Sequence, residues 1–210
     1  MQARYLKAVA TSEQLPAPVA CEFGFVGRSN CGKSSLINGL LNSKLARTSA
    51  MPGRTQMIHY FELQVNPETC LFLVDLPGYG FNKTPKKLQK TWDLLIRDFL
   101  ERANVREVFF LHDIRRPLDD VDLCLLEDLL EVKRVSLVLT KIDKFSVQQQ
   151  KQYVAAIQAT IAPLFEDLPV HTISNLHKTG VAELRTYMQE QVHHVEEEEE
   201  TEEEVDHEGK

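Results

Sequence analysis

Between an apolar run and an amphipathic segment lies a stretch that few backbone shapes can satisfy: Gly27-Arg28-Ser29-Asn30-Cys31-Gly32-Lys33-Ser34. The run before it, Cys21 to Val26, reads as a buried strand. After it, Lys33 to Leu41 sets Leu36, Ile37, Leu40 and Leu41 at helical spacing. The pattern G-x-x-x-x-G-K-[ST] at a strand-to-helix junction curls the backbone so that successive N–H groups converge on one anion. The helix start adds the positive end of its dipole. In such a loop the lysine, here Lys33, reaches the β- and γ-phosphates of a nucleotide, and the hydroxyl of Ser34 is offered to Mg²⁺.

The rest of the chain alternates. Asn42 to Gln56 is polar and irregular, with Pro52-Gly53 as a turn signal. Met57 to Val65 and Cys70 to Asp75 read as strands joined at Asn66-Pro67, a connection too short for a parallel crossover, so an antiparallel hairpin is expected. Helices are expected over Pro85–Arg102 (with Trp92 in the core), Asp119–Val132, Val147–Leu164 and Val181–Val192. Strands are expected over Val105–Leu111, Val135–Thr140 and Val170–Ser174. Alternation of this kind predicts an α/β fold, a mostly parallel sheet with helices on both faces. Ligands in such sheets sit at the carboxyl ends of the strands.

Three strand ends carry chemistry in order. Beyond the Gly27–Ser34 loop, Asp75-Leu76-Pro77-Gly78 sets a carboxylate that can hold Mg²⁺ through a water and a glycine whose N–H can meet the γ-phosphate. Thr140-Lys141-Ile142-Asp143 supplies a carboxylate able to accept from both N1–H and the 2-amino group of guanine, a donor pair adenine lacks. The aliphatic stem of Lys141 can lie along the purine face. The last strand end, Ile173-Ser174-Asn175, offers backbone N–H groups to the guanine O6. Together these predict binding of GTP and GDP and an Mg²⁺-dependent GTPase, and they disfavour an ATPase or a nucleotide kinase.

At these residues the sequence resembles a known family. GRSNCGKSSLIN, MPGRTQ, LVDLPGYGF, HDIRRPL and TKID are similar to the EngB (YihA/YsxC) family of Era-like bacterial GTPases, of the TRAFAC class, from about Cys21 to Val192. The resemblance implies a Ras-like P-loop GTPase domain with a six-stranded sheet, one strand antiparallel. It implies that Thr55, within Gly53-Arg54-Thr55-Gln56-Met57, is the switch I threonine that joins Mg²⁺ when GTP is bound, and that Lys33, Thr55 and Gly78 carry catalysis. Tyr79 follows Gly78 where many GTPases carry a water-orienting glutamine, which leaves the water-positioning group unassigned. Thr140 stands where the general pattern has Asn, as is usual in this family, and Asn175 replaces the more usual small residue. Asn30 lies where related proteins bind an activating K⁺. The family's part in large-ribosomal-subunit assembly, and in normal cell division and septation, is carried over as an implication. The alternative is a GTP-dependent switch that recruits division proteins without touching the ribosome.

Charge bears on the partner. The net charge of −7 belongs to one end: Glu196 to Lys210 holds 10 acidic residues and one lysine, and the remainder has 21 acidic and 23 basic residues. The expected organisation is an arm over 1–20, a GTP-binding domain over 21–195 and a disordered acidic tail over 196–210. No acid occurs from Phe23 to Phe61 or from Leu76 to Trp92, whereas Lys44, Arg47, Arg54, Lys83, Lys86, Lys87 and Lys90 do. That excess over what a triphosphate neutralises suggests contact with ribosomal RNA phosphates. No C-x-x-C pair occurs among Cys21, Cys31, Cys70 and Cys124, so free thiols are expected, with Cys21, Cys70 and Cys124 in the core and Cys31, in the loop, the one candidate for a reactive thiol. No basic head, apolar stretch and cleavage site occur in order at the start, and no run reaches a membrane span, so a cytoplasmic monomer without membrane contact is expected.

Overall fold

Successive residues of a strand point to opposite faces of its sheet, and in the central strands here both sets are apolar. A strand of that kind is stable only with cover on both sides. The computed structural model describes residues 2–46, 57–67, 69–79, 94–165 and 167–192. Its strands are β1 (Gln2–Val9), β2 (Cys21–Gly27), β3 (Ile58–Gln64), β4 (Cys70–Asp75), β5 (Val105–Asp113), β6 (Val135–Thr140) and β7 (Val170–Ile173). Its helices are α1 (Lys33–Leu41), α2 (94–100), α3 (Asp120–Leu130), α4 (Val147–Ile161) and α5 (181–192). One sheet holds the strands in the order β1-β3-β4-β2-β5-β6-β7, with β3 antiparallel to both neighbours and the other pairs parallel.

The faces divide as the alternation requires. Val26, Tyr60, Val74, Val108, Phe110 and Leu137 pack with α2, α3 and α4 through Phe99, Leu126 and Ile157. Phe23, Phe25, Leu73, Phe109, Leu111 and Val138 pack with α1 and α5 through Leu36, Leu40, Leu184 and Met188. Two helices start on reciprocal caps: Asp119 accepts from the Asp122 N–H while Asp122 accepts back, and Ser146 and Gln149 do the same for α4. These caps fix the turns leaving β5 and β6, and so the strand ends above them.

The sheet has seven strands where six were expected. The extra one is β1, within the segment expected as an arm. It pairs antiparallel with β3 from Gln2↔Gln64 to Val9↔Ile58, with a register shift between Tyr5 and Lys7. The Tyr5 ring meets Phe61 edge-on, and Arg4 pairs with Glu62 at 2.6 Å. The register shift breaks the period-2 pattern, and the paired residues lie 49 to 62 positions apart, so the local sequence hides the strand. The arm continues across the base of the sheet, where Arg102 donates to the Pro16 carbonyl and to Glu22, each at 2.8 Å. Trp92 and residues 196–210 lie outside the described residues.

At the far end of the sheet from the β2–α1 loop, Glu107 is fully buried. It accepts from Ser136 Oγ and, at 3.1 Å, from Tyr187 Oη, while its Oε2 has no hydrogen-bond donor. Arg134 stands 3.9 Å from that oxygen. Burial raises the Glu107 carboxyl above the usual range, against the pull of Ser136, Arg134 and Tyr187. A raised folded-state value means the carboxyl's contribution to stability is whole below its unfolded value near 4.3 and is lost as pH rises through the folded one. Glu107→Gln should therefore gain thermal stability over the parent as pH is raised from about 4.5 to 8, by differential scanning fluorimetry; a constant difference would remove the charge from the account.

Candidate nucleotide-binding site

The loop leaving β2 has the shape its sequence demands. A Cβ on Gly27 would come within 2.7 Å of both the Leu111 carbonyl oxygen and Cys31 Sγ, so only glycine lets β2 press against β5 here. Asn30 and Gly32 take left-handed conformations, φ 64° and 104°. Gly32 then opens α1, whose N-terminus has no side-chain cap and no acid in its first turn. Its free N–H groups and dipole are left for an anion.

Lys33 reaches back to the end of β4. Its ammonium donates to the Asp75 carboxylate and, at 2.7 Å, to the Leu76 carbonyl. Leu76 is tied to β2 through its N–H on the Phe25 carbonyl, 3.0 Å. Gly78 lies against the loop, where a Cβ would stand 3.1 Å from the Gly27 carbonyl and 3.4 Å from Ser29 Oγ. Ser34 is half-buried in the first turn of α1. Loop, lysine, carboxylate and Gly78 thus meet at one place.

The loop is also held from behind. Thr140 is fully buried at the end of β6 and donates to the Cys31 carbonyl, 2.5 Å, with the His112 carbonyl 3.2 Å away. Lys141, in a left-handed conformation, donates to the Asn30 carbonyl and pairs with Asp113 at 2.8 Å. Asp113 is gripped bidentately by Arg115, at 2.9 and 2.6 Å. Burial opposes its charge, yet Arg115 and Lys141 hold its carboxyl well below the usual range. A cavity of about 230 Å³ opens beside these groups, lined by Ser29, Asn30, His112, Arg116 and their neighbours.

The candidate base-reading end is assembled from β6 and β7. Asp143 accepts from Ser174 Oγ at 2.9 Å and pairs with Lys144 at 3.3 Å. Burial works against the charge, but Ser174, Lys144 and a backbone N–H keep the Asp143 carboxyl below its usual range, so it is an acceptor at neutral pH. Ser174 itself accepts from the His177 N–H, 3.1 Å. Asn175 turns its side chain to the Gly32 carbonyl, 3.2 Å, and its Oδ1 is buried without a partner. Thr140, Ile142 and Ile173 are buried side chains that shape this pocket from behind.

Gly53, Arg54, Thr55 and Gln56 lie outside the described residues, as do Lys83, Lys86, Lys87 and Lys90; Met57 is described and exposed. The cysteines are free thiols, but the core expectation fails at Cys124 and Cys31 is not the reactive one. Cys31 is 3% exposed, packed under Gly27, and burial pushes its thiol up to about 11, so it is not reactive; Cys124 is the exposed one. A loop that curls round an anion turns its side chains outward, and here the outside is the sheet.

Some of the site was not read from the sequence. Arg28 does not face the cradle: it donates to Asp122 at 2.6 Å and to Asp119 at 2.5 Å, and its guanidinium lies 5.5 Å from the Tyr79 ring centroid. Asp113 and Arg115 belong to the HDIRRPL string, which carried no role. Only the Asp119-x-x-Asp122 capping spacing could have drawn attention to α3.

A glycine-bearing loop at a strand-to-helix junction with lysine, a carboxylate and glycine at the neighbouring strand end, and a second carboxylate two strands on make the arrangement of a P-loop GTPase domain. Residues 22–141 match the family model described as 50S ribosome-binding GTPase. The chain belongs to the EngB family of GTP-binding proteins. It is 38% identical over 194 residues to "Probable GTP-binding protein EngB" of Coxiella burnetii, covering 89% of this chain and 91% of that one. It is 40% identical over 195 residues to the protein so described in Fusobacterium nucleatum, covering 91% and 97%. In structure it is similar to Aquifex aeolicus Era bound to GDP and aluminium fluoride, TM-score 0.67 at 24% identity, with 80% of this chain and 55% of that chain covered. It thus spans about half of that Era chain. A crystal structure of an EngB protein aligns with a TM-score of 0.55 at 21% identity, covering 83% and 99%. At those identities the two structures speak for the fold alone. Among the described residues no helix is long and apolar enough to cross a membrane.

Gly27→Ala should drive its methyl into the Leu111 carbonyl, lowering stability by about 2 kcal/mol and weakening guanine-nucleotide affinity at least tenfold; chemical denaturation and calorimetry read the two effects.

Proposed function

We propose that this chain is an Mg²⁺-dependent GTPase whose nucleotide state governs its attachment to the large ribosomal subunit during assembly. The observation that carries the reading is the Lys33 ammonium held between the Asp75 carboxylate and the Leu76 carbonyl at the mouth of the loop. In a P-loop this lysine serves the β- and γ-phosphates, and its ties to Asp75 and Leu76 keep the ammonium at the mouth of the loop. Ser34 and Asp75 fit Mg²⁺, a hard ion that takes one or two protein oxygens and fills its other positions with phosphate and water. The ion would neutralise charge on the phosphates, and Thr55 would join it when GTP is bound. Gly27 to Ser34 would cradle the phosphates, while Lys141, Asp143 and the Ser174–Asn175 backbone would receive the guanine.

Tyr79 replaces the glutamine that orients water in many GTPases, so unassisted turnover should be slow, on the order of 10⁻³ per second or below. GTP would order the segments around Thr55 and Asp75, the ordered face would bind its partner, and hydrolysis would release it. The partner reading draws support from the family description, 50S ribosome-binding GTPase, and from the acid-free stretches that hold Lys44, Arg47, Arg54 and Lys83 to Lys90. A structurally similar Era was solved in complex with MgGDPNP and a segment of 16S ribosomal RNA, which bears on RNA contact and not on the large subunit. The protein would act as a cytoplasmic monomer, and its loss would disturb division and septation through ribosome supply. Potassium at Asn30 has no further support: the Asn30 carbonyl is engaged by Lys141.

Asp143→Asn should move base preference from guanine to xanthine nucleotides by at least tenfold, because an amide can donate to the 2-oxo group; calorimetry with both nucleotides measures it, and retained GTP preference would overturn the base assignment. Large subunits should co-sediment with the protein loaded with a GTP analogue and not with GDP. Absence of co-sedimentation in both states would favour a division-protein switch instead.

A further inference from the structure

Tyr79 occupies the position from which many GTPases orient the attacking water, yet here it turns away from the phosphate cradle. Its hydroxyl donates to Asp122 Oδ1 at 2.8 Å, and that same oxygen accepts Arg28 Nε at 2.6 Å. The ring lies 5.7 Å from Phe110 on one side and 5.5 Å from the Arg28 guanidinium on the other. The second Asp122 oxygen is spent on the Asp119 N–H of the α3 cap, 3.2 Å, with His112 Nδ1 at 3.7 Å. Asp122 is 1% exposed. Burial disfavours its charge, but Arg28, Tyr79 and the Asp119 N–H hold its carboxyl below the usual range.

Three elements are locked at this point: the phosphate loop through Arg28, the segment after β4 through Tyr79, and the capped start of α3 through Asp122. The backbones of Arg28 and Tyr79 are bridged as well. Between them Gly78 is pressed on Gly27 and Ser29. Swinging Tyr79 toward the phosphates would leave a buried carboxylate one donor short, which costs more than the bond itself contributes.

We propose that Tyr79, Asp122 and Arg28 form a clasp that positions the Gly78 N–H for the γ-phosphate, with Tyr79 a positioning residue and no part of water activation. This rests on the GTPase reading above. The clasp holds the first residue that senses the γ-phosphate in register with the loop that holds the α- and β-phosphates. It therefore acts on GTP and its transition state and leaves GDP indifferent. It also accounts for an aromatic phenol at a position otherwise given to glutamine: the ring fills the gap over Phe110, and the hydroxyl reaches a carboxylate too far for a shorter side chain.

The test is Tyr79→Phe, which keeps the ring and removes the one donor. Single-turnover GTP hydrolysis should fall about tenfold, the scale of a mispositioned donor. Preference for a GTP analogue over GDP should shrink several-fold, with GDP affinity within about twofold of the parent. Arg28→Lys keeps the charge but loses the fork that spans Asp119 and Asp122, and should change the same quantities in the same direction. It serves equally should Tyr79→Phe not fold. Parent-like hydrolysis and GTP preference in either variant would overturn the clasp. So would equal loss of GTP and GDP affinity together with a lowered melting temperature, the mark of a purely structural contact. A parent protein that binds no guanine nucleotide would instead sink the GTPase reading, so the two failures are told apart by the parent's own titration.

Discussion

The loop from Gly27 to Ser34 can curl round an anion only because its outer side is bonded to the sheet. Successive N–H groups turned inward leave their carbonyls turned outward, and buried carbonyls must find donors. Thr140 supplies one for Cys31, Lys141 one for Asn30 and Asn175 one for Gly32. Each donor comes from the carboxyl end of β6 or β7. The same strand ends that lead into Asp143 and Ser174 therefore also hold the Gly27–Ser34 loop in shape. The proposed base and phosphate ends of the site are one construction.

That coupling explains residues that looked like base contacts in the sequence. Thr140 begins the T-K-x-D string, yet its hydroxyl is buried against the loop. Asn175 stands where a smaller residue is more usual, and it spans the distance to Gly32 that a small side chain could not. Ile142 and Ile173 fill the space beneath. Asp143 and the stem of Lys141 are left for the proposed base contact, and Ser174 and Lys144 favour the ionised form of Asp143.

The opposite half of the sheet is built around the β3–β4 hairpin. β3 follows the segment that holds Thr55, and β4 leads into Asp75 and Gly78. β1 pairs along the outer edge of β3 up to Ile58, and Arg102 ties the chain after β1 to the end of α2. The hairpin between these two segments is thereby flanked by strands on both sides.

The sequence by itself determined the strand–loop–helix junction, the alternation of strands and helices from β2 onward and both apolar faces. These rest on local signals: the glycines of the loop and apolar periods of 2 and 3.6. Tertiary structure alone decided that residues 2–9 form a seventh strand, that Cys31 is sealed and Cys124 open, and that Arg28, Tyr79 and Asp122 meet across 94 and 43 positions of chain. Contacts between elements that distant leave no periodic trace, because a side chain's partner is set by how strands are ordered in the sheet and not by its neighbours along the chain.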